Sequence, residues 1–290
     1  MAADLTRVRR LVSLICLCSG AAVCLAQEAL PPLEPAQAQA LMTQTLGNEL
    51  QAAHDTSHPM RYALRKVSPR LTTTKLIIET KDGAVARLVS INDQPLSVLD
   101  EQKEQARLNG LLADPSLQRH RKQNEDSDTA RAMRVLRALP QAFVYQYAGP
   151  IDASGGRIER FTFRPNPTFK PPDLETEVLT EMTGEMWIDA AHERVTHLEG
   201  HLQEDVDFGW GILGRLYKGG WVAIDQADVN AGVWRTVHFQ MQMSGRVFIR
   251  TRVFDTTQQQ TQFEPVPVGL TYAQAIQMLL ANSGANTARR

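Results

Sequence analysis

Cysteine is nearly absent: the 290-residue chain has three, Cys16, Cys18 and Cys24, all inside its first 26 residues. If those residues are removed, disulfides, thiolate zinc sites, iron–sulfur clusters and cysteine nucleophiles are all excluded. Charge of one sign is also missing, with a formal net charge of −1 that becomes −3 without the leader. That mild acidity offers no field for nucleic acid. After residue 25 no stretch approaches 18 consecutive apolar residues, so no transmembrane segment is expected in the mature chain. There is no G-x-S-x-G elbow, and no serine sits in sequence beside a histidine–acid pair.

The N-terminus has the layout of a secretory leader. Arg7, Arg9 and Arg10 precede an apolar run from Leu11 to Leu25, and Ala26 supplies a small residue before Gln27. Residues 1–26 read as a signal peptide, cleaved near Ala26-Gln27 to release a soluble secreted protein of about 264 residues. No small residue stands directly ahead of Cys18, and Val23 stands ahead of Cys24, which disfavours lipid attachment. Residues 27–35 read as a flexible linker.

Beyond that linker the chain is largely a pattern of strands. Residues 36–54 have helix-forming composition, with Leu41, Leu46 and Leu50 near helical spacing. Strands are predicted from Met60, Thr72 and Ala84, the last two joined by a Lys81-Asp82-Gly83 turn. Residues 97–139 form a charged insert, predicted as two helices joined by a polar loop near Gln118–Asp126; Arg131, Arg134 and Arg137 read as a solvated stripe. Beyond Pro140 alternation returns. Val178, Met182, Met186 and Ile188 share one parity and Glu177, Glu181 and Glu185 the other. In VWRTVHFQMQM, Val233, Val237, Phe239, Met241 and Met243 are assigned one face, Trp234, Thr236, His238, Gln240 and Gln242 the other. The expected fold class is mainly antiparallel β with helices (α+β), as one domain over residues 36–265 with the insert at 97–139. A short C-terminal helix and tail occupy 266–290.

Three constellations suggest chemistry. Gly209, Gly211 and Gly214 spell G-x-G-x-x-G, but an acidic DVD precedes them and only four residues separate Gly214 from Gly219-Gly220, too few for the helix that would hold a pyrophosphate. They read as a bend between strands, and no cofactor is expected. His197, Glu199 and His201 would project from one face of a strand; they are weak metal candidates, because three such residues span roughly 13 Å and form a ladder more naturally than a converged ligand set. The aromatic residues Trp187, Phe208, Trp210, Trp221 and Trp234 are the speculative apolar-ligand set. No catalytic residue is assigned, and the chain is not expected to be an enzyme.

The order of leader, N-terminal helix, strands, charged helical insert and antiparallel meander resembles LolA/LolB/RseB-like periplasmic domains. The phrase MTGEMWIDAAHERVTHLEGHL, residues 182–202, is similar to outer-membrane lipoprotein-sorting-protein-like sequences. The run FRPNPTFKPP…EDVDFGWGILGRLYKGG looks similar to an uncharacterised secreted bacterial group. The resemblance implies a strongly curved half-barrel sheet capped by helices. It also implies a non-enzymatic carrier or sensor of a lipid, a lipoprotein acyl chain or another apolar ligand. The implied partner is that ligand or an envelope protein, with transient membrane contact. The alternative is a structural or protein-interaction module of the envelope without a small ligand, and the minor alternative a metal-dependent hydrolase.

Overall fold

The computed structural model describes residues 31–153, 156–208, 214–247 and 249–287. The leader and its cleavage point lie outside the described residues. So do Gly209, Trp210 and Gly211.

Helix α1 (Pro35–His54) is opened by Glu34, whose side chain and that of Gln37 cap each other's backbone. Strands β1 (Met60–Ser68), β2 (Leu71–Ile78), β3 (Val85–Ile91) and the short β4 (Gln94–Pro95) come next. The β2–β3 turn carries Gly83 at φ +100, a left-handed value that a side chain would strain. Helix α2 (Val98–Ala113) is capped by Ser97, which accepts from the Asp100 amide. Helix α3 (Pro115–Ala142) begins one residue after Asp114, which caps it through the Ser116 amide. The polar loop expected near Gln118–Asp126 is therefore helix. A Lys122–Asp126 pair at 2.7 Å supports that stretch, and the break falls at Asp114 instead.

After α3 the chain runs through β5 (Phe143–Ala153), β6 (Gly156–Pro165), the one-turn α4 (Leu174–Glu177) and a 3-10 turn at Val178–Glu181. Strands β7 (Met182–Asp189), β8 (Arg194–Leu202), β9 (Val206–Phe208), β10 (Gly214–Leu216), β11 (Trp221–Asn230), β12 (Val233–Val247) and β13 (Arg250–Pro265) lead to α5 (Tyr272–Thr287). Among the described residues thirteen strands join one antiparallel sheet in the order β4-β3-β2-β1-β13-β12-β11-β8-β7-β6-β5, with β9 and β10 attached beside β12.

The half-barrel expectation is not met. The fold is mixed, with helices and a large antiparallel sheet, and the sheet is open and not strongly curled: its path ends at β4 and β5, which do not pair. Alternation along a strand fixes which side chains share a face, but it carries no information about curvature. Curvature comes from bulges and strand stagger, and here the register shifts are scattered over five strand pairs.

Helices α2 and α5 pack over β2 and β3. Val85, Leu108, Ala275 and Ile276 are 0% exposed there and Leu279 is 1% exposed. The buried Arg87 donates to the Leu279 carbonyl at 2.6 Å and to Glu101 at 2.5 Å, pinning both helices to β3. Glu104 accepts from the Leu88 amide at 2.8 Å and pairs with Arg107. Burial alone would raise the Glu104 carboxyl, but the Arg107 and Leu88 hydrogen bonds outweigh it and hold the group low. Among the described residues no helix is long and apolar enough to cross a membrane.

Candidate functional site

Helices α1 and α3 lie over the other part of the sheet and pack on it only in part, α1 through Ala38, Met42 and Leu46 and α3 through Ala138 and Ala142. Between them and the strands is a cavity of about 1570 Å³. Its sheet wall is apolar: Phe163, Met182, Met186, Leu198, Val222, Ile224, Phe239, Met241 and Met243. Its roof is Leu46 and Ala53 from α1 with Ala132, Val135, Leu136 and Leu139 from α3.

Two facing glycines shape this wall. Gly184 of β7 pairs with Gly200 of β8. A Cβ on Gly184 would meet the Glu199 carbonyl oxygen at 1.8 Å and the Phe163 ring at 2.7 Å, and one on Gly200 would meet the Met182 sulfur at 2.7 Å. Both positions must stay bare for Phe163 and Met182 to lie against the strands.

The roof is tied down at defined points. Glu49 of α1 receives Arg194 Nε at 2.9 Å and Nη2 at 3.2 Å, the Val195 amide at 3.0 Å and Gln226 Nε2 at 3.2 Å. Arg194 in turn lies 5.6 Å from the Trp234 ring, a cation–π contact on the cavity wall. On α3, Arg134 donates to Glu175 at 2.7 Å and Arg137 contacts His54 at 3.3 Å. Arg131 pairs with Asp128 at 2.8 Å. The arginine stripe stays largely solvent-exposed, as read from the sequence, and its side chains are also engaged by carboxylates and a histidine. Glu125 accepts from the Ala84 amide at 3.0 Å and fixes α3 to the β2–β3 turn.

One end of the cavity is polar. Tyr62, Glu79, His58 and Arg235 line it. Glu79 accepts from the Met60 amide at 2.9 Å and stands 3.8 Å from Arg235, which also donates to the His58 carbonyl at 2.7 Å. Burial is the main influence on Glu79 and raises its carboxyl above the ordinary carboxylate value. Burial likewise pushes the Tyr62 phenol well above its usual value, with Glu79 and Glu125 adding to the effect.

The aromatic set is divided between the two faces. Trp234 and Phe208 line the cavity. Trp187 and Trp221 are on the opposite side: the Trp187 ring lies 4.6 Å from His197 and donates to Glu185, and Trp221 donates to Gln242 at 3.0 Å. Trp210 lies outside the described residues. Trp234 and Thr236 line the cavity with Phe239 and Met241 because of a register shift: Asp225 pairs with His238 and Gln226 with Thr236, leaving Val237 as an extra residue. The face assignment from uninterrupted alternation fails at that bulge and for the residues before it, and holds for Phe239, Met241 and Met243 after it.

His197, Glu199 and His201 do share a face, the one away from the cavity. They belong to a longer ladder. His201 Nε2 is 2.6 Å from Glu199, His197 Nδ1 is 2.6 Å from Asp225, and His238 Nδ1 is 3.2 Å from the same Asp225 carboxylate. Each imidazole is engaged by a carboxylate on a neighbouring position. Among the described residues no group of three or more His, Cys, Asp or Glu is placed to hold a metal ion.

Glu49, Arg194, Glu79, Arg235 and Tyr62 were not anticipated as site residues. Glu49 left one signal: it continues the stripe Ala38, Met42, Leu46 of α1, so its carboxylate falls on the buried face.

No protein-family model and no curated protein sequence matches the chain. Among solved structures, the chain is similar to a domain from Vibrio parahaemolyticus described as that of an outer membrane lipoprotein-sorting protein, at 10% identity and a TM-score of 0.32. That match covers 80% of this chain and 95% of the other. A DUF1329 family protein from Desulfovibrio piger is similar at 10% identity and a TM-score of 0.28, covering 81% of this chain and 95% of that one.

Proposed function

We propose that this chain binds an apolar or amphiphilic ligand, a lipid or the acyl chain of a lipoprotein, and carries or senses it in the bacterial envelope without a chemical step. The observation that carries the reading is the cavity of about 1570 Å³ between α1, α3 and the sheet. Typical small-molecule pockets hold about 300–1,000 Å³, so this one suits a long or branched chain better than a compact metabolite. Its walls supply mostly hydrocarbon and thioether surface, with Tyr62, Glu79 and Arg235 at one end for a polar group. The leader-like residues 7–26 support the envelope location.

Native mass spectrometry and solvent extraction of protein isolated from a bacterial envelope test this directly. The expected result is co-purified lipid and saturable uptake of a fluorescent acyl probe. Ile224→Trp and Met241→Trp, which project bulk into the open volume, should abolish uptake while the thermal midpoint holds. A preparation with neither bound lipid nor probe uptake overturns the proposal.

A further inference from the structure

The end of the β12–β13 hairpin has no role in the cavity. The last pair between β13 and β1 is Thr257 with Val67, so residues 250–256 have no strand on that side. At about 3.3 Å per residue this leaves on the order of 20 Å of hairpin beyond β1. Its apolar side chains are outside: Ile249 is 92% exposed, Val253 68% and Phe254 41%. Isolated exposed apolar residues are ordinary, but Phe254 on one face of the hairpin end, Val253 on the other and Ile249 at the turn make an apolar patch that wraps both faces of that end.

Cationic residues surround that patch. Arg250 and Arg252 are exposed and, among the described residues, no carboxylate pairs with either. By contrast, Arg215 of the adjoining β10 is neutralised by Asp207 at 2.5 Å and by Asp205 at 3.4 Å. The hairpin end therefore presents the Arg250 and Arg252 guanidinium groups around aliphatic and aromatic tips. That chemistry complements an anionic bilayer: the apolar tips reach the acyl boundary, and the arginines extend to the phosphates.

We infer that this hairpin end is a contact element for anionic lipid membrane surfaces. Phe254 pairs across the strands with Met243, which lines the cavity, so the contact element is continuous with one end of the cavity wall. The proposal does not require a ligand in the cavity, and its test needs none.

The test is co-sedimentation of the protein, recovered from the secretory compartment of an expressing bacterium, with vesicles of phosphatidylcholine alone or mixed with phosphatidylglycerol. Binding should appear on the mixed vesicles and weaken at high salt as the screening length shortens. Each arginine near an anionic surface is worth about fivefold in partitioning, so R250E/R252E should lower binding by on the order of tenfold or more. Ile249→Glu should lower it comparably, and acyl-probe uptake should stay at the wild-type level in both variants. A solvatochromic dye on Ile249→Cys gives a second readout, since without the leader the chain has no other cysteine. Its emission should shift to the blue on mixed vesicles, while the same dye on Val144→Cys of β5 should not move. Equal binding to both vesicle types, wild-type binding by the variants, or an unshifted dye at position 249 overturns the inference. So does loss of self-association, with no effect on vesicle binding, as the only change in the variants.

Discussion

Two parts of one sheet meet their helices in opposite ways. Over β2 and β3, α2 and α5 bring Leu108, Ala275, Ile276 and Leu279 into contact so close that exposure falls to 0–1%. Over β6–β8, α1 packs through Ala38, Met42 and Leu46 and α3 through Ala138 and Ala142, but between these contacts and β11–β12 about 1570 Å³ stays open. The helices differ in what they present. α5 offers aliphatic side chains between short alanines, which interdigitate with strand residues. α3 sends Lys122, Glu125, Asp126 and Thr129 toward the cavity along its first half and apolar residues only from Ala132 onward. Charged side chains near the opening keep their ends in water, so that half of the helix cannot fill the space beneath it. Its 28 residues, about 42 Å of helix, instead span the gap as a strut held at discrete ion pairs. The closed part is filled by packing, whereas in the open part packing by Ala38, Met42 and Leu46 of α1 and by Ala138 and Ala142 of α3 is joined by ion-pair ties around a volume left open for a ligand.

Removing a tie should have the largest effect. Glu49→Ala leaves Arg194, whose side chain is 12% exposed, without its carboxylate and strips a partner from the Val195 amide and Gln226. The expected destabilisation is about 3–5 kcal/mol, lowering the thermal midpoint by roughly 10 °C in a domain of this size. Glu49→Gln, which keeps the shape and one acceptor, should cost clearly less. Equal midpoints for Glu49→Ala and wild type would mean that α1 is held by packing alone.

A paired truncation sharpens the contrast. Ile276→Ala in the closed part creates a void in a filled core and should cost about 2–5 kcal/mol. Met241→Ala faces space that is already empty, so only transfer of its exposed-side methylenes is lost, on the order of 1 kcal/mol or less. Denaturant melts of both variants check the difference. Similar losses in the two would indicate that the cavity is closed in solution.

Much of this arrangement was legible in the residues, but unevenly. The turn at Lys81-Asp82-Gly83 announced itself through glycine's access to positive φ, and β2 and β3 flank it. The charged insert was recognisable as helical because it lacks β-branched residues. Its loop was misplaced because Gln118–Asp126 looks too polar for a helix, while an Asp114 cap and the Lys122–Asp126 pair suffice to make one. Counting by twos along β12 put Trp234 on the wrong side for a local reason. One extra residue at Val237 reverses every assignment before it, and a bulge leaves no compositional mark there. Curvature was inferred from resemblance, with no residue that could carry it. The cavity was least visible of all, because an empty space is defined by ties such as Glu49–Arg194, which join residues 145 positions apart in the chain.

The smallest expected effect concerns pH and the polar end of the open part. Burial raises Glu79 above the ordinary carboxylate value, with the nearby Arg235 and the Met60 amide only partly opposing it. A carboxyl raised in the folded state favours its protonated form there. Its contribution to stability is therefore fully present below the ordinary carboxylate range and is lost as pH rises through the raised value. An apolar ligand seated against Tyr62 and Glu79 would withdraw more water from that carboxyl and raise it further. Binding then takes up a proton, and probe affinity should increase a few-fold as pH falls from about 7 toward 4.5. Glu79→Gln, which removes the titration and keeps the acceptor for Met60, should flatten the profile. An affinity that is level with pH in the wild type, or one that falls on acidification, would place the ligand away from Glu79, toward the end of the cavity lined by Phe208, Leu216 and Met243.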